Sequence, residues 1–490
     1  MINTVYELIT DVMAKQYPDR VAFRYAAADG KTVVEKTYAQ YVQDIRRAVT
    51  YFKENIPDIK GKRVGIMSRN CYEYGVNSFG AILAGAVVVT INQKKTWPEL
   101  EYELGLVEPS LIVNDGIDYG CRPDIEAAYG DKLRPMDAFR DSAPAELVDC
   151  VGHDDLIVLM FTSGTTGRSK GVMLSEKNYF TACQMYIDGL KSVLDHEERL
   201  VPQYLDQTFS HFTLVPMFHL AGFICYFVYG VQGWTLNLCC DARDLRRDMS
   251  LMHSDAMSTP PVLVEMICNE VKRGHADRLN GLWNLSCSSA ILDPAILSNL
   301  VKNGFYINQC YSMTELAGYG LLNVTQEGDH LRALGKPDGF CEVKVDETGE
   351  ICVRGGCVML GYYKDPEATA ETIDKDGWLH TGDLARVDEE GYYYMTGRKK
   401  NLIILDSGEN VSPEELEKLL GKCDAIKECI VKEMGKKIGT VVCCEDDKQQ
   451  QVKAFVTELN RTLPMYKRIS VVECSAEPLP RNALGKLLRK

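Results

Sequence analysis

Apolar residues in the first 155 positions follow two alternating patterns, a helical period near 3.6 and short unbroken runs. Tyr38 to Phe52 has the helical period, and Arg63-Val-Gly-Ile-Met67 reads as a buried strand. Tyr72 to Leu83 reads as a second helix and Ala86-Val-Val-Val-Thr90 as a second strand. Alternating βα units predict a parallel sheet covered by helices. The alternation resumes with strand Leu156 to Met160, strand Phe212 to Pro216, helix Pro261 to Lys272, strand Gly281 to Ser286 and helix Pro294 to Asn303.

From about Leu334 the texture becomes short strands with turns: Glu342 to Val345, Gly349 to Arg354, and a hairpin from Leu384 to Thr396 around Glu390-Gly391. The last ninety or so residues alternate differently. Ser412-Pro-Glu-Glu415 reads as a helix start, with serine at the N-cap and proline at the first helical position. Strands Cys429 to Lys432 and Thr440 to Cys444, helix Gln449 to Leu463 and strand Ile469 to Val472 follow. The expected fold is α/β: a large N-terminal domain of stacked βα sheets with a β-rich subdomain, and a small α+β C-terminal domain. The polar stretch Gly397-Arg-Lys-Lys-Asn401 marks the boundary, giving 1–397, a hinge at 398–401, and 402–490.

Composition narrows the class. The 490 residues are too many for one ordinary core, and 46% apolar with 25% charged residues fits a soluble globular protein. A net charge of −14 argues against a nucleic-acid partner. The longest apolar stretch, Ala81 to Ile91, is far short of a membrane span, and the N-terminus has no continuous apolar region of signal-peptide type. Eighteen cysteines are scattered without any C-x-x-C, so metal-ligand spacing is absent and reduced, core-filling cysteines are expected. Cytoplasm is the expected location.

The segment Phe161 to Gly171, FTSGTTGRSKG, follows a strand with three glycines, five hydroxyls and a lysine. Such a loop offers N–H and O–H donors plus a cation to a polyphosphate. It is not a Walker A loop, because Ser169 breaks the G-x-x-x-x-G-K spacing. Five segments follow in order: PMFHLAGF (Pro216 to Phe223), YSMTE (Tyr311 to Glu315), WLHTGDL (Trp378 to Leu384), GRKKNLIILDSGENVSPEELE from Gly397, and LPRNALGKLLRK at the end. Together these resemble the core motifs of the adenylate-forming superfamily, most closely its bacterial fatty acyl-CoA synthetases, over essentially the whole chain.

The resemblance implies a reaction. A carboxylate attacks the α-phosphate of ATP, giving acyl-adenylate and pyrophosphate, and a thiol then displaces AMP. Thr162, Ser163, Gly164, Thr165, Thr166, Gly167 and Lys170 would hold the β- and γ-phosphates. Tyr311 would face adenine, Thr314 donate to the α-phosphate, and Glu315 bind Mg²⁺. Asp383 and Arg398 would meet the ribose, and Ser289, Ala290 and Gln309 complete the nucleotide set. Lys486 would bridge carboxylate and α-phosphate, brought in by a mobile C-terminal domain that then turns about Lys400. Gly408 would let the pantetheine arm of coenzyme A approach.

Several residues carry a plainer reading beside this one. Taken alone, Glu315 is a helix-cap acid, Asp383 a turn residue and Lys486 part of a basic tail. His219 is either a core cap or a gate to the acyl pocket. The stripe Phe223, Tyr226, Phe227 and Tyr229 reads as core before pocket.

The chain also departs from common patterns. Ser312 stands where glycine is frequent, Asn401 where an acid is common and Ser407 where glycine is common; the stretch between Val431 and Thr440 is short. The expected substrate is a fatty or other hydrophobic carboxylic acid, in a monomer or homodimer. Three alternatives stay open: loading of an aryl, amino or fatty acid onto an acyl carrier protein, 2-succinylbenzoate-CoA ligase activity, or a non-catalytic nucleotide-binding protein. The amino-acid case lacks a pocket aspartate, since no acid occurs from Leu220 to Val228.

Overall fold

The computed structural model describes residues 2–162, 168–196, 209–288, 292–337, 339–404, 410–435, 437–481 and 487. Contacts gather the chain into two compact units: Met1–Val343 with Val353–Leu379, and Lys344–Cys352 with His380–Lys490. The α/β class expected from the alternating patterns is the one observed.

The first unit contains two large sheets. One has seven strands in the order Gly361–Tyr362, Lys170–Ser175, Leu156–Thr162, Val87–Thr90, Arg63–Met67, Leu111–Asn114, Leu133–Pro135. It is parallel except at the first two pairings, where Lys170–Ser175 runs antiparallel to both neighbours. The other has eight strands: Gly318–Asn323, Tyr306–Met313, Asn284–Ser288, Ala256–Thr259, Ser210–Thr213, Thr235–Leu238, Val21–Ala26, Val33–Thr37. Only its two outermost pairings are antiparallel. The interior strand Val87–Thr90 is buried at all four positions, as unbroken apolar runs in sheets covered on both faces require.

Local chemistry explains the helices between these strands. Tyr38–Asn55 begins at Thr37, whose hydroxyl accepts from Gln40 N while the Gln40 side chain answers the Thr37 N–H. Tyr41, Ile45, Ala48, Val49 and Phe52 share its buried face. Tyr72–Leu83 and Pro261–Lys272 fall where the periodicity predicts. The aromatic stripe is core: Phe223, Tyr226 and Phe227 are buried, and Phe227 stacks on Tyr179 with centroids 4.5 Å apart.

Two strand expectations in the first unit shift. The strand expected at 212–216 is Ser210–Thr213, because Pro216 has no N–H to give and the chain turns into the PMFH segment. The strand expected at 281–286 is Asn284–Ser288, since Gly281 sits at φ +92° in a turn against His253. No disulfide joins the eighteen cysteines, most of them buried as the composition suggests. No described helix is long and apolar enough to cross a membrane.

The second unit contains most of a four-stranded sheet, in the order Glu342–Val345, Glu350–Arg354, Leu379–Val387, Tyr393–Arg398. Its hairpin turns at Gly391, φ +83°. A three-stranded sheet, Glu428–Met434, Lys437–Cys443 and Val471–Ser475, packs with helices Pro413–Leu420 and Gln449–Thr462 around Leu416, Val431, Ile438 and Val456. The last strand starts later than Ile469 because Asn460 takes the Ile469 N–H on its side chain at 2.8 Å. Ser412 caps Pro413–Leu420 as its sequence signal predicts, accepting from Glu415 N.

Candidate active site

Within the first unit the sheet edges bring three motif residues together. Thr162 closes one strand and Lys170 opens the next, and the two are register partners across the antiparallel pair. Ser163, Gly164, Thr165, Thr166 and Gly167 lie outside the described residues. The short strand Gly361–Tyr362 adds to the same edge, opposite Met173 and Val172. That register carries the Tyr362 ring to Lys170, whose Nζ is 4.6 Å from the ring centroid. The Tyr362 hydroxyl donates to Glu315 Oε1 at 3.0 Å. Burial and the Glu315 charge push the phenol well above its ordinary range, so it remains a donor at any physiological pH.

Glu315 owes its position to a break in the neighbouring strand. The pairing of Tyr306–Met313 with Gly318–Asn323 shifts register between Tyr311 and Ser312. A 3₁₀ turn, Thr314–Leu316, follows and ends on Ala317 at φ +52°. A left-handed alanine costs about 1 kcal/mol, which the surrounding sheet sustains to hold this turn. The turn is fixed again by Met359 N, donating to the Glu315 carbonyl at 2.9 Å. Tyr311, Thr314 and Glu315 are all half-buried. A carboxylate oriented by a phenol is a hard oxygen donor of the kind Mg²⁺ takes, so Glu315 fits the role expected of it.

Gln309, on the same strand, is buried and fully engaged: it accepts from Leu292 N and donates to the Leu331 carbonyl, both at 3.0 Å. It braces the chain just after Ser289 and Ala290, which lie outside the described residues. His219 is the N-cap residue of helix Leu220–Gln232, its ring 4.5 Å from that of Phe218. Gly222 is required here, because a Cβ would come within 2.5 Å of the Pro216 carbonyl. Burial, aided by the charge of Lys95, pushes the His219 imidazole down to about 4. It is therefore neutral at pH 7.

Lys95, like Tyr362, was not anticipated. Its ammonium pairs with the buried Glu103, reaches Ser169 Oγ at 3.4 Å, and lies 5.9 Å from the Phe161 ring centroid. It stands directly beside the residues that follow the glycine-rich loop. The signal available was the capping box Thr96 to Glu99, which starts helix Trp97–Val107 and sets the Lys95-to-Glu103 spacing. For Tyr362 the signal was Gly361, at φ +135° against Thr369, which turns the chain back to the sheet edge.

In the second unit Asp383 and Arg398 are cross-strand partners, with Arg398 Nε 2.9 Å from Asp383 Oδ1. Asp383 is buried and Arg398 exposed. Thr381 steadies this corner, accepting from Asp383 N and donating to the Ile351 carbonyl. Lys400 is exposed in the 3₁₀ turn Lys399–Asn401. Asn401 donates to Glu414 Oε1 at 2.6 Å, which gives its departure from the common acid a physical reason: an acid there would face Glu414. Ser407, Gly408 and Lys486 lie outside the described residues.

The whole chain is similar to several known proteins. The family model of AMP-binding enzymes matches residues 11–363. The chain is 30% identical over 454 residues to the feruloyl-CoA synthase of Amycolatopsis sp, covering 88% of each chain. It is 27% identical over 552 residues to the long-chain-fatty-acid–CoA ligase of Salmonella typhimurium, covering 98% of this chain and 96% of that one. In fold it is similar to the O-succinylbenzoate coenzyme A synthetase of Bacillus subtilis in complex with AMP, with a TM-score of 0.80 at 23% identity, covering 99% and 97%.

Proposed function

Because the chain belongs to the AMP-binding enzymes of the adenylate-forming superfamily, and is with them an AMP-forming acid–thiol ligase, we propose that it couples a fatty or other hydrophobic carboxylic acid to coenzyme A at the expense of ATP. In the first half-reaction a carboxylate oxygen bonds to the α-phosphorus and pyrophosphate leaves. In the second the thiolate sulfur bonds to the acyl carbon and AMP leaves. Neither step needs a protein nucleophile, so the work is positioning and charge stabilisation.

The observation that supports this most is the Lys170–Tyr362–Glu315 arrangement. One ring carries an ammonium against its face and a carboxylate on its hydroxyl, so a cation donor and an anion donor are held a fixed distance apart at one sheet edge. Lys170 would neutralise a terminal phosphate. Glu315 would hold Mg²⁺, which screens the phosphate charge and polarises the α-phosphate. Thr314 would donate to the α-phosphate, Tyr311 would cover adenine, and Asp383 would accept the ribose hydroxyls beside Arg398. Neutral His219 can border an acyl chain without the cost of burying a charge. Lys486 would supply the charge that stabilises adenylation, carried by a small domain, 402–490, that then turns about 398–401.

An aryl acid is the second reading, favoured by the match to a feruloyl-CoA synthase. The deciding experiment is a panel of fatty and aryl acids assayed for pyrophosphate release, with and without coenzyme A. The proposal expects a hydrophobic acid to stimulate release and coenzyme A to raise turnover. A panel in which no acid stimulates release contradicts it.

A further inference from the structure

The sequence contains no metal-ligand spacing, yet the second unit gathers one from separate strands. Asp346 opens the turn after strand Glu342–Val345, Cys352 lies in Glu350–Arg354, and His380 lies in Leu379–Val387. One donor atom from each falls within 4.8 Å of the others. Glu350 and Cys352 are two apart on one strand and so share a face. Both are buried. His380 Nδ1 is 3.5 Å from Cys352 Sγ and 3.2 Å from Glu350 Oε2.

Those separations have a meaning. With Zn–S near 2.3 Å and Zn–N or Zn–O near 2.0–2.1 Å, a tetrahedron has S···N edges of about 3.5 Å and N···O edges of about 3.3 Å. The edges from His380 already have these lengths. A thiol, an imidazole and a carboxylate, with the Glu350 carboxylate beside the imidazole as a fourth donor, suit a borderline-soft divalent cation and not Mg²⁺ or Ca²⁺. Glu350 already has a cationic partner: Lys399 Nζ lies 2.8 Å from its Oε2. The lysine side chain is half exposed and can swing to solvent.

We propose that Cys352, His380, Asp346 and Glu350 form a zinc-class site for which the Lys399 ammonium and the metal compete. Binding releases the Cys352 thiol proton to solvent, the ring proton of neutral His380 moves from Nδ1 to Nε2 with no net release, and no redox change occurs. The metal ties the Asp346 turn to two strands and frees Lys399, the first residue of the turn that carries Lys400. None of the four is among the residues proposed to touch the nucleotide, although Glu350 accepts from Gly382 N beside Asp383, and metal binding is read without turnover, so the site stands or falls independently of the ligase reading.

Co²⁺ titration of the full-length protein tests it. One equivalent should produce a saturable thiolate-to-cobalt charge-transfer band with the visible spectrum of a four-coordinate ion, displaced by Zn²⁺. Cys352→Ser should remove the band, and His380→Ala should weaken binding by about tenfold or more. Lys399→Ala should tighten it by about threefold to tenfold, because the competitor is gone. Lack of a band in the wild-type protein, or a band that persists in Cys352→Ser, overturns the site. If Cys352→Ser does not fold, an unchanged affinity in Lys399→Ala overturns the competition on its own.

Discussion

Glu315 and Asp383 are both motif carboxylates, yet the first takes its hydrogen bond from a neutral phenol and the second is ion-paired with a guanidinium across two strands. The supports differ in kind. Glu315 stands on a 3₁₀ turn that follows a register shift and ends on a left-handed alanine, whereas Asp383 lies within a strand, directly opposite Arg398 and just before that pair's own register shift at Leu384/Ala385. A phenol orients a carboxylate without cancelling its charge, which suits a group that must attract a divalent cation. A guanidinium cancels most of the charge but leaves oxygen lone pairs, which suits a group that accepts from neutral hydroxyls. What each residue can bind is thus written in the charge of its partner.

Under the proposed mechanism both carboxylates serve adenylation, and the most forceful test removes the group expected to drive that step. Lys486→Ala should lower acyl-AMP formation by about 10²–10³-fold, the scale of a lost transition-state charge contact. Thioester formation from supplied acyl-AMP should remain near wild type. Equal loss of both half-reactions would contradict the division of labour.

The two carboxylates should then separate. Glu315→Gln keeps an acceptor for Tyr362 but loses the charge, and should cost about 10²-fold in kcat/KM with a raised Mg²⁺ requirement. Asp383→Asn keeps its acceptor oxygen and should cost about tenfold, seen in KM for ATP with the Mg²⁺ requirement unchanged. Mg²⁺ titrations of both variants decide it, and the same Mg²⁺ response in each would erase the contrast.

Tyr362→Phe sharpens the point at a smaller scale. It keeps the ring beside Lys170 and removes only the hydrogen bond to Glu315, so kcat/KM should fall by about tenfold or less. A loss as large as that of Glu315→Gln would mean that the phenol contributes more than orientation.

How much of this could be read beforehand differs between the two supports. The register pair Asp383 and Arg398 lies just beyond the ends of the hairpin expected from Leu384 to Thr396, so its neighbourhood follows from local pattern, while its register depends on the shift at Leu384/Ala385. Tyr362 reaches Glu315 only through an added two-residue strand, and Lys95 reaches Ser169 only through tertiary packing. Periodicity registers neither, because it reports which face of an element is apolar and not which edges meet. Pro216 and Gly281 displaced two expected strands for a local reason, as chain breakers that an apolar run does not register. The Cys352–His380 contact is likewise silent in a spacing search, its members lying on different strands. The helix cap fared better: Ser412 acts on its own helix and needs no distant partner.

The smallest effect concerns stability in acid. The first unit buries His219 with its imidazole held down to about 4, and His211 down to about 3, chiefly by burial. An unfolded histidine titrates near 6.5, so between about pH 4 and pH 6.5 the unfolded chain holds a proton on His219 that the native chain does not. The unfolded state then binds more protons, so stability rises with pH through this window and is lost as pH falls. Between pH 7 and pH 5 the share from His219 is about 2 kcal/mol. His219→Gln removes the titrating group. Urea unfolding at the two pH values should therefore show the variant losing about 2 kcal/mol less on acidification than the wild-type chain. Identical losses would mean that water reaches His219.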